Sequence, residues 1–221
     1  MTRQREWFRS YPGMLAAAAS LFMSLLAGCS TSAVDVSYAP KNPVDQTQSA
    51  PGNLILGHFS DRRDKDPFWV GEIVGKYHYP KTILETTEPV TKVVRNVIER
   101  TAQRRGLLND RGGDADYQLS GEIIRLYAIT SEDTEAHAVI SLRLTRRGGS
   151  EEVYHQRHRV YVNNPTGVRQ ADKLADLLEE MLNQVVTDAL DAKPFRDRLS
   201  DPEDVAALDP STGSVYFLGN S

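Results

Sequence analysis

Chemistry in this 221-residue chain would have to come from five histidines, a scatter of serines, 30 acidic side chains and a single cysteine. His155 and His158, in "YHQRHR", stand three apart, which on a strand sends them to opposite faces, so they cannot chelate one ion together. His137 falls on the polar side of its strand as a solvated imidazole, and His58 and His78 have no second ligand nearby in the sequence, so neither a metal nor a cofactor is expected. No G-x-S-x-G elbow occurs, and "GGS" at 148–150 sits in a hairpin turn without a neighbouring base. The phosphate-cradling patterns G-x-x-x-x-G-K-[ST] and G-x-G-x-x-G are missing as well. Glu85, Glu88, Asp114 and Asp116 could face one another, but abundant carboxylates are mostly solvated surface. The expectation is a protein that is not an enzyme. Cys29 remains: with no disulfide partner in the chain, it implies an intermolecular bond or a thiol with its own chemistry.

Its surroundings decide between these. Arg3, Arg5 and Arg9 precede an apolar stretch of 14 residues, Met14 to Ala27, that ends in small residues. This is the plan of a signal peptide, and the stretch is shorter than the roughly 20 apolar residues of a membrane-spanning helix. Leu26, Ala27, Gly28 and Cys29 resemble the lipobox of bacterial lipoproteins. That resemblance implies removal of residues 1–28 and acylation of Cys29 as the new N-terminus, a membrane anchor once more than one chain is attached. Ser30 follows where an aspartate would, by resemblance to the enteric sorting rule, retain the protein in the inner membrane, so an outer-membrane lipoprotein on the periplasmic face is expected. The mature chain would carry 23 basic and 29 acidic residues (26 − 3 and 30 − 1), a net charge of −6. An acidic chain without a basic cluster is not a nucleic-acid binder.

The later elements are legible from periodicity. Residues 29–52, including "APKNPVDQTQSAPG", lack apolar spacing and read as a flexible tether. "NLILGHF" at 53–59 reads as a buried strand. Val90, Val93, Val94, Val97, Ile98 and Ala102 line one face of a helix that Thr86 or Thr87 can cap and Gly106 can close. Three strands come next: residues 116–129, with Tyr117, Leu119, Gly121, Ile123 and Tyr127 on one face; residues 135–146; and "EEVYHQRHRVYV", entered through a turn at Gly148 and Gly149. A second helix runs from Leu174 to Leu190, and residues 193–221 read as a mostly disordered tail. The order β-α-β-β-β-α predicts an α+β domain over 53–192, a two-layer sandwich with a mixed sheet of about four strands and two helices on one face.

The long connection Ser60–Glu85 is the expected functional surface, because structureless loops of this length are uncommon and this one is rich in aromatics. Phe68, Trp69, Tyr77 and Tyr79 are its candidate partner-binding residues, the alternative being an extra hairpin, turning near Gly75, that covers the core. The strand leading into "DRR" at 61–63, "VG" at 70–71, "TTEPV" at the helix start, "ADYQLSGEI" and the closing helix together resemble a family of small Gram-negative envelope lipoproteins called YajG-like, over residues 53–192. The resemblance implies a lipid-anchored, non-catalytic binding or scaffolding module with an envelope protein or lipid as partner. The acylated cysteine and the two helices on a sheet are also similar to auxiliary lipoproteins of lipid or lipopolysaccharide transport systems. An envelope hydrolase is the competing class.

Overall fold

Alternating runs can become strands only where each finds a neighbour for its backbone, and here nearly every run does. The computed structural model describes residues 30–34, 53–75, 80–109, 115–164, 166–200 and 215–217. The chain divides into two units, Met1–Ser30 and Thr31–Ser221; the second holds all the described strands and helices, apart from Ser30, the first residue of its opening strand. In order the elements are β1 (Ser30–Val34), β2 (Leu54–Asp61), β3 (Trp69–Val74), β4 (Pro80–Thr86), α1 (Val90–Arg104), β5 (Tyr117–Thr130), β6 (Thr134–Arg146), β7 (Glu152–Asn164), α2 (Ala171–Asp191), α3 (Lys193–Ser200) and β8 (Val215–Phe217). The strands form one mixed sheet in the order β1-β4-β3-β5-β6-β7-β8, with β2 also on β5.

The expected class, α+β with helices packed on a mixed sheet, is what the chain adopts, but its strands and helices outnumber the four and two expected. The additional strands come mainly from the connection Ser60–Glu85, which folds as the hairpin β3–β4 rather than as a loop. The third helix comes from the tail: residues 193–200 are helical because Phe195 and Leu199 reach the core, Phe195 with no exposed surface. The short strand β8 also lies in that tail, and β1 occupies the first residues of the expected tether. The signal segment, Cys29 and residues 35–52 lie outside the described residues. Among the described residues no helix is long and apolar enough to cross a membrane.

β5 organises the sheet. Its first half pairs in parallel with β2, from Leu54 opposite Tyr117 to Asp61 opposite Ile123, and its last residues pair in parallel with β3, Gly71 opposite Ala128. One long strand thus carries two shorter ones end to end on one edge, and β6 and then β7 follow antiparallel on the other. At Gly71 a Cβ would stand 2.0 Å from the Ala128 carbonyl oxygen, so only glycine allows this approach. A bulge between Ile123 and Arg125 shifts the alternation by one residue. Tyr117, Leu119 and Ile123 point to the core before it, Leu126 and Ala128 after it, and Tyr127 therefore leaves the inner face on which periodicity had placed it.

The inner face is closed by the two long helices, whose stripes (Val90, Val94, Val97 and Ile98 on α1; Leu174, Leu178, Met181, Leu182, Val185 and Val186 on α2) are buried against Leu119, Leu142, Leu144 and Val160. The start of α1 differs from expectation. Pro89 is its N-cap and no side chain caps it; Thr86 instead donates from its hydroxyl to the carbonyls of Phe68 and Glu88. Gly106, at φ 64°, closes the helix in the left-handed conformation that glycine adopts freely.

Candidate functional site

The two long helices lie on one side of the sheet, no helix among the described residues covers the other, and the site is built there. Three strands place side chains in transverse rows on this outer face. Tyr127 of β5 stands opposite His137 of β6, and His137 opposite Tyr161 of β7. The rings touch in sequence: Trp69 to Tyr127 with centroids 6.1 Å apart, Tyr127 to His137 at 5.0 Å, and His137 to Tyr161 at 4.6 Å, with tilts between 36° and 48°. Lys65 adds its ammonium over the Trp69 ring, 4.9 Å from the centroid. Glu135 accepts from His137 Nε2 at 2.5 Å. Partial burial, with the nearby Glu135 charge, pushes the Tyr127 phenol above its ordinary range, so it stays a neutral hydrogen-bonding group.

The row depends on Arg63. Its guanidinium, 3% exposed, grips Asp61 in a fork (Nε to Oδ1 2.9 Å, Nη2 to Oδ2 2.8 Å) and donates from Nη1 to the carbonyls of Trp69 at 2.7 Å and Leu126 at 3.2 Å. One buried cation thus fastens the end of β2 to the start of β3 and to β5, which fixes where Trp69 stands. Burial alone would raise the Asp61 pKa, but the hydrogen bonds and charge of Arg63 outweigh it and hold the carboxyl below its ordinary value.

Beside the aromatic row runs a row of the same register in which Arg125, Val139 and Arg159 face one another across β5, β6 and β7, with Arg157 next along β7 opposite Ser141. All three arginines are exposed, and among the described residues no acidic side chain pairs with any of them. The acids around them are engaged: Glu122 lies 3.9 Å from Arg62, Glu135 is on His137, and Glu152 is 2.8 Å from Arg143. Glu72, level with Ile129, lies beyond the aromatic row from the arginines.

Of the residues proposed from sequence, Trp69 joins the row half-buried, and Phe68 beside it is 38% exposed. Tyr77, Tyr79 and Cys29 lie outside the described residues. His155 and His158 do part to opposite faces, but neither stands alone. His155 Nε2 is 2.9 Å from Ser141 Oγ, and its Nδ1 is 3.2 Å from Glu152 Oε1. This Ser-His-Glu string has a nucleophile's order but not its setting. Ser141 is 5% exposed in a strand paired on both sides, so its backbone N–H is committed to the ladder and cannot serve as an oxyanion donor. His137 is less solvated than expected, being held between two rings. The four carboxylates do not gather: Glu88 pairs with Lys92, Asp116 accepts from Asn53, Glu85 sits opposite Trp69, and Asp114 lies outside the described residues. Among the described residues no three potential ligands stand together for a metal.

No family model matches the sequence, and no curated protein matches it significantly. The chain is similar to a solved Xanthomonas campestris protein of the DUF330 family: 16% identity, covering 76% of this chain and 97% of that one, with a TM-score of 0.52. A Caulobacter crescentus CB15 protein described as a candidate lipoprotein aligns at 16% identity over 48% of this chain and 77% of its own, with a TM-score of 0.34. PelC from Paraburkholderia phytofirmans, solved as a dodecamer, aligns at 12% identity over 63% and 87%, also at 0.34. At these identities the first likeness concerns the fold alone, and the lower scores of the other two carry no argument. The YajG-like resemblance finds no match beside it.

Proposed function

We propose that the chain is a lipid-anchored envelope protein that acts without catalysis, as a binding or scaffolding module held to the outer membrane through Cys29 and facing the periplasm. The observation that carries the binding role is the row Trp69–Tyr127–His137–Tyr161, a strip of aromatic surface across four strands on the face that the described helices do not cover. Aromatic side chains offer large contact area at low conformational cost and dominate interface energetics. The anchoring role rests on the lipobox residues Leu26 to Cys29, and the YajG-like resemblance over 53–192 belongs to the same reading. The two long helices on one sheet face favour a second, narrower version, in which the module is an auxiliary lipoprotein of a lipid or lipopolysaccharide transport system.

Crosslinking in the native envelope tests both parts. Trp69→Ala with Tyr161→Ala should abolish partner capture in a chain that still melts cooperatively, whereas a double variant that keeps every crosslink removes this face from the function. Cys29→Ser should lose both processing after residue 28 and membrane association; if it is still cleaved and retained, the anchor lies elsewhere.

A further inference from the structure

The chemistry of the open face says what it meets. It belongs to a chain with a net charge of −4, yet on the side of the aromatic row where Arg125, Arg157 and Arg159 stand no acidic side chain among the described residues pairs with them. Glu85 and Glu72 lie at the β3–β4 end, opposite Trp69 and level with Ile129. Strand spacing places Arg125 and Arg159 roughly 10 Å apart at the backbone, with Val139 between them, and Arg157 roughly 7 Å further along β7. Such a spread on a flat surface does not enclose one phosphate; it meets several anions lying in a plane. The neighbouring Trp69, Tyr127 and Tyr161 are the amphipathic rings that favour the boundary between lipid headgroups and acyl chains.

We propose that the outer sheet face docks on an anionic phospholipid surface, with Arg125, Arg157 and Arg159 against the lipid phosphates and the aromatic row lying along the interface. The proposal rests on the binding role assigned to this face and names the partner class. It also agrees with the position of Cys29, which precedes the first residue of β1 directly, so an acyl group there would keep the sheet beside a bilayer instead of on a long leash.

The test uses the full chain carrying Cys29→Ser, which removes acylation, and compares partitioning onto phosphatidylcholine vesicles with and without phosphatidylglycerol. The leader carries Arg3, Arg5 and Arg9 and itself favours anionic lipid, so the arginine face is read from the difference in anionic preference between this parent and variants that share its leader. Binding should favour the anionic vesicles and weaken with salt, and Arg125→Gln with Arg157→Gln and Arg159→Gln should reduce the anionic preference roughly a hundredfold. The triple lysine variant should keep it, since a charged surface needs cations and not forks. Equal partitioning to the two vesicles, or a glutamine variant that binds like the parent, overturns the proposal. So does a lysine variant as weak as the glutamine one, or displacement by inorganic phosphate at the concentration of lipid phosphate, because either marks a single-phosphate site. Should the glutamine variant fail to fold, salt-independent binding of the parent chain overturns it alone. Loss of the anionic preference with envelope crosslinks intact would leave the binding role standing with a protein as its partner.

Discussion

The two faces of the sheet are made from the same strands by alternate residues, and they are held by different physics. On the inner face Leu119, Ile140, Leu142 and Val160 meet two helices, and the imidazole that enters, His158, is matched to the Tyr154 hydroxyl. On the outer face rings lie against rings, ion pairs are shallow, and three arginines have no acid among the described residues. The inner face supplies stability through area removed from water. The outer face contributes little stability and keeps its chemistry available, so substitutions on the two sides should separate folding from binding.

The sharpest break in that comparison is expected at α3, which extends the inner face beyond the expected domain end. Phe195 is fully buried, with its ring edge 5.3 Å from Tyr154. Phe195→Ala should cost about 3 to 5 kcal/mol through the cavity it leaves, read as a lower midpoint in urea, while an unchanged midpoint would make α3 an ornament. Nearly as large is Arg63→Ala, which strands the Asp61 carboxylate in a half-buried site and frees the Trp69 carbonyl. A loss of about 3 kcal/mol is expected, together with weaker aromatic-face binding, because this one side chain serves both faces.

pH gives the next effect. His158 is 4% exposed and sits 2.9 Å from the Tyr154 hydroxyl, which itself donates to Gln156; burial lowers the imidazole pKa from 6.5 to about 4 and raises that of the phenol. The folded state therefore keeps His158 neutral where the unfolded chain binds a proton. Its stability is full above pH 6.5 and is lost progressively as pH falls towards 4, by an amount on the order of 3 kcal/mol. Denaturation at pH 7 and pH 4.5 should show this fall in the parent and a flatter profile in His158→Gln; parallel profiles would show that His158 is protonated in the fold. The smallest effect belongs to the outer face: Arg159→Gln should change stability by no more than about 0.5 kcal/mol. A larger loss would mean the arginine is structural.

Much of this architecture was legible because its long segments repeat one period without interruption. The stripe from Leu174 to Leu190 and the alternation from Ala136 to Leu144 admit no second reading, and both formed as expected. "EIIRLYAIT" was different: apolar residues occupy both parities there, so the bulge after Ile123 could not be seen, and it is the bulge that sends Arg125 and Tyr127 outward. The hairpin β3–β4 was legible only as the alternative to a binding loop, because Pro67, Pro80 and the short length of its strands blur its alternation, and α3 was concealed by Pro194 and charges on its outer side. Trp69 was found as an aromatic in an unexplained connection. His137 and Tyr161 were not, because a row across strands exists only once the register is set.

The arrangement of β2 and β3 along a single edge of β5 also has a consequence in time. The meander β5–β6–β7 is joined by short turns and can close from contacts near in sequence, whereas β2, which ends at Asp61, must wait for a strand that begins 56 residues later, at Tyr117. Long-range parallel pairing is slow. During that wait "NLILGHF" is an apolar strand without a partner, so any machinery that delivers this chain unfolded must keep its N-terminal third from pairing with another copy until β5 arrives.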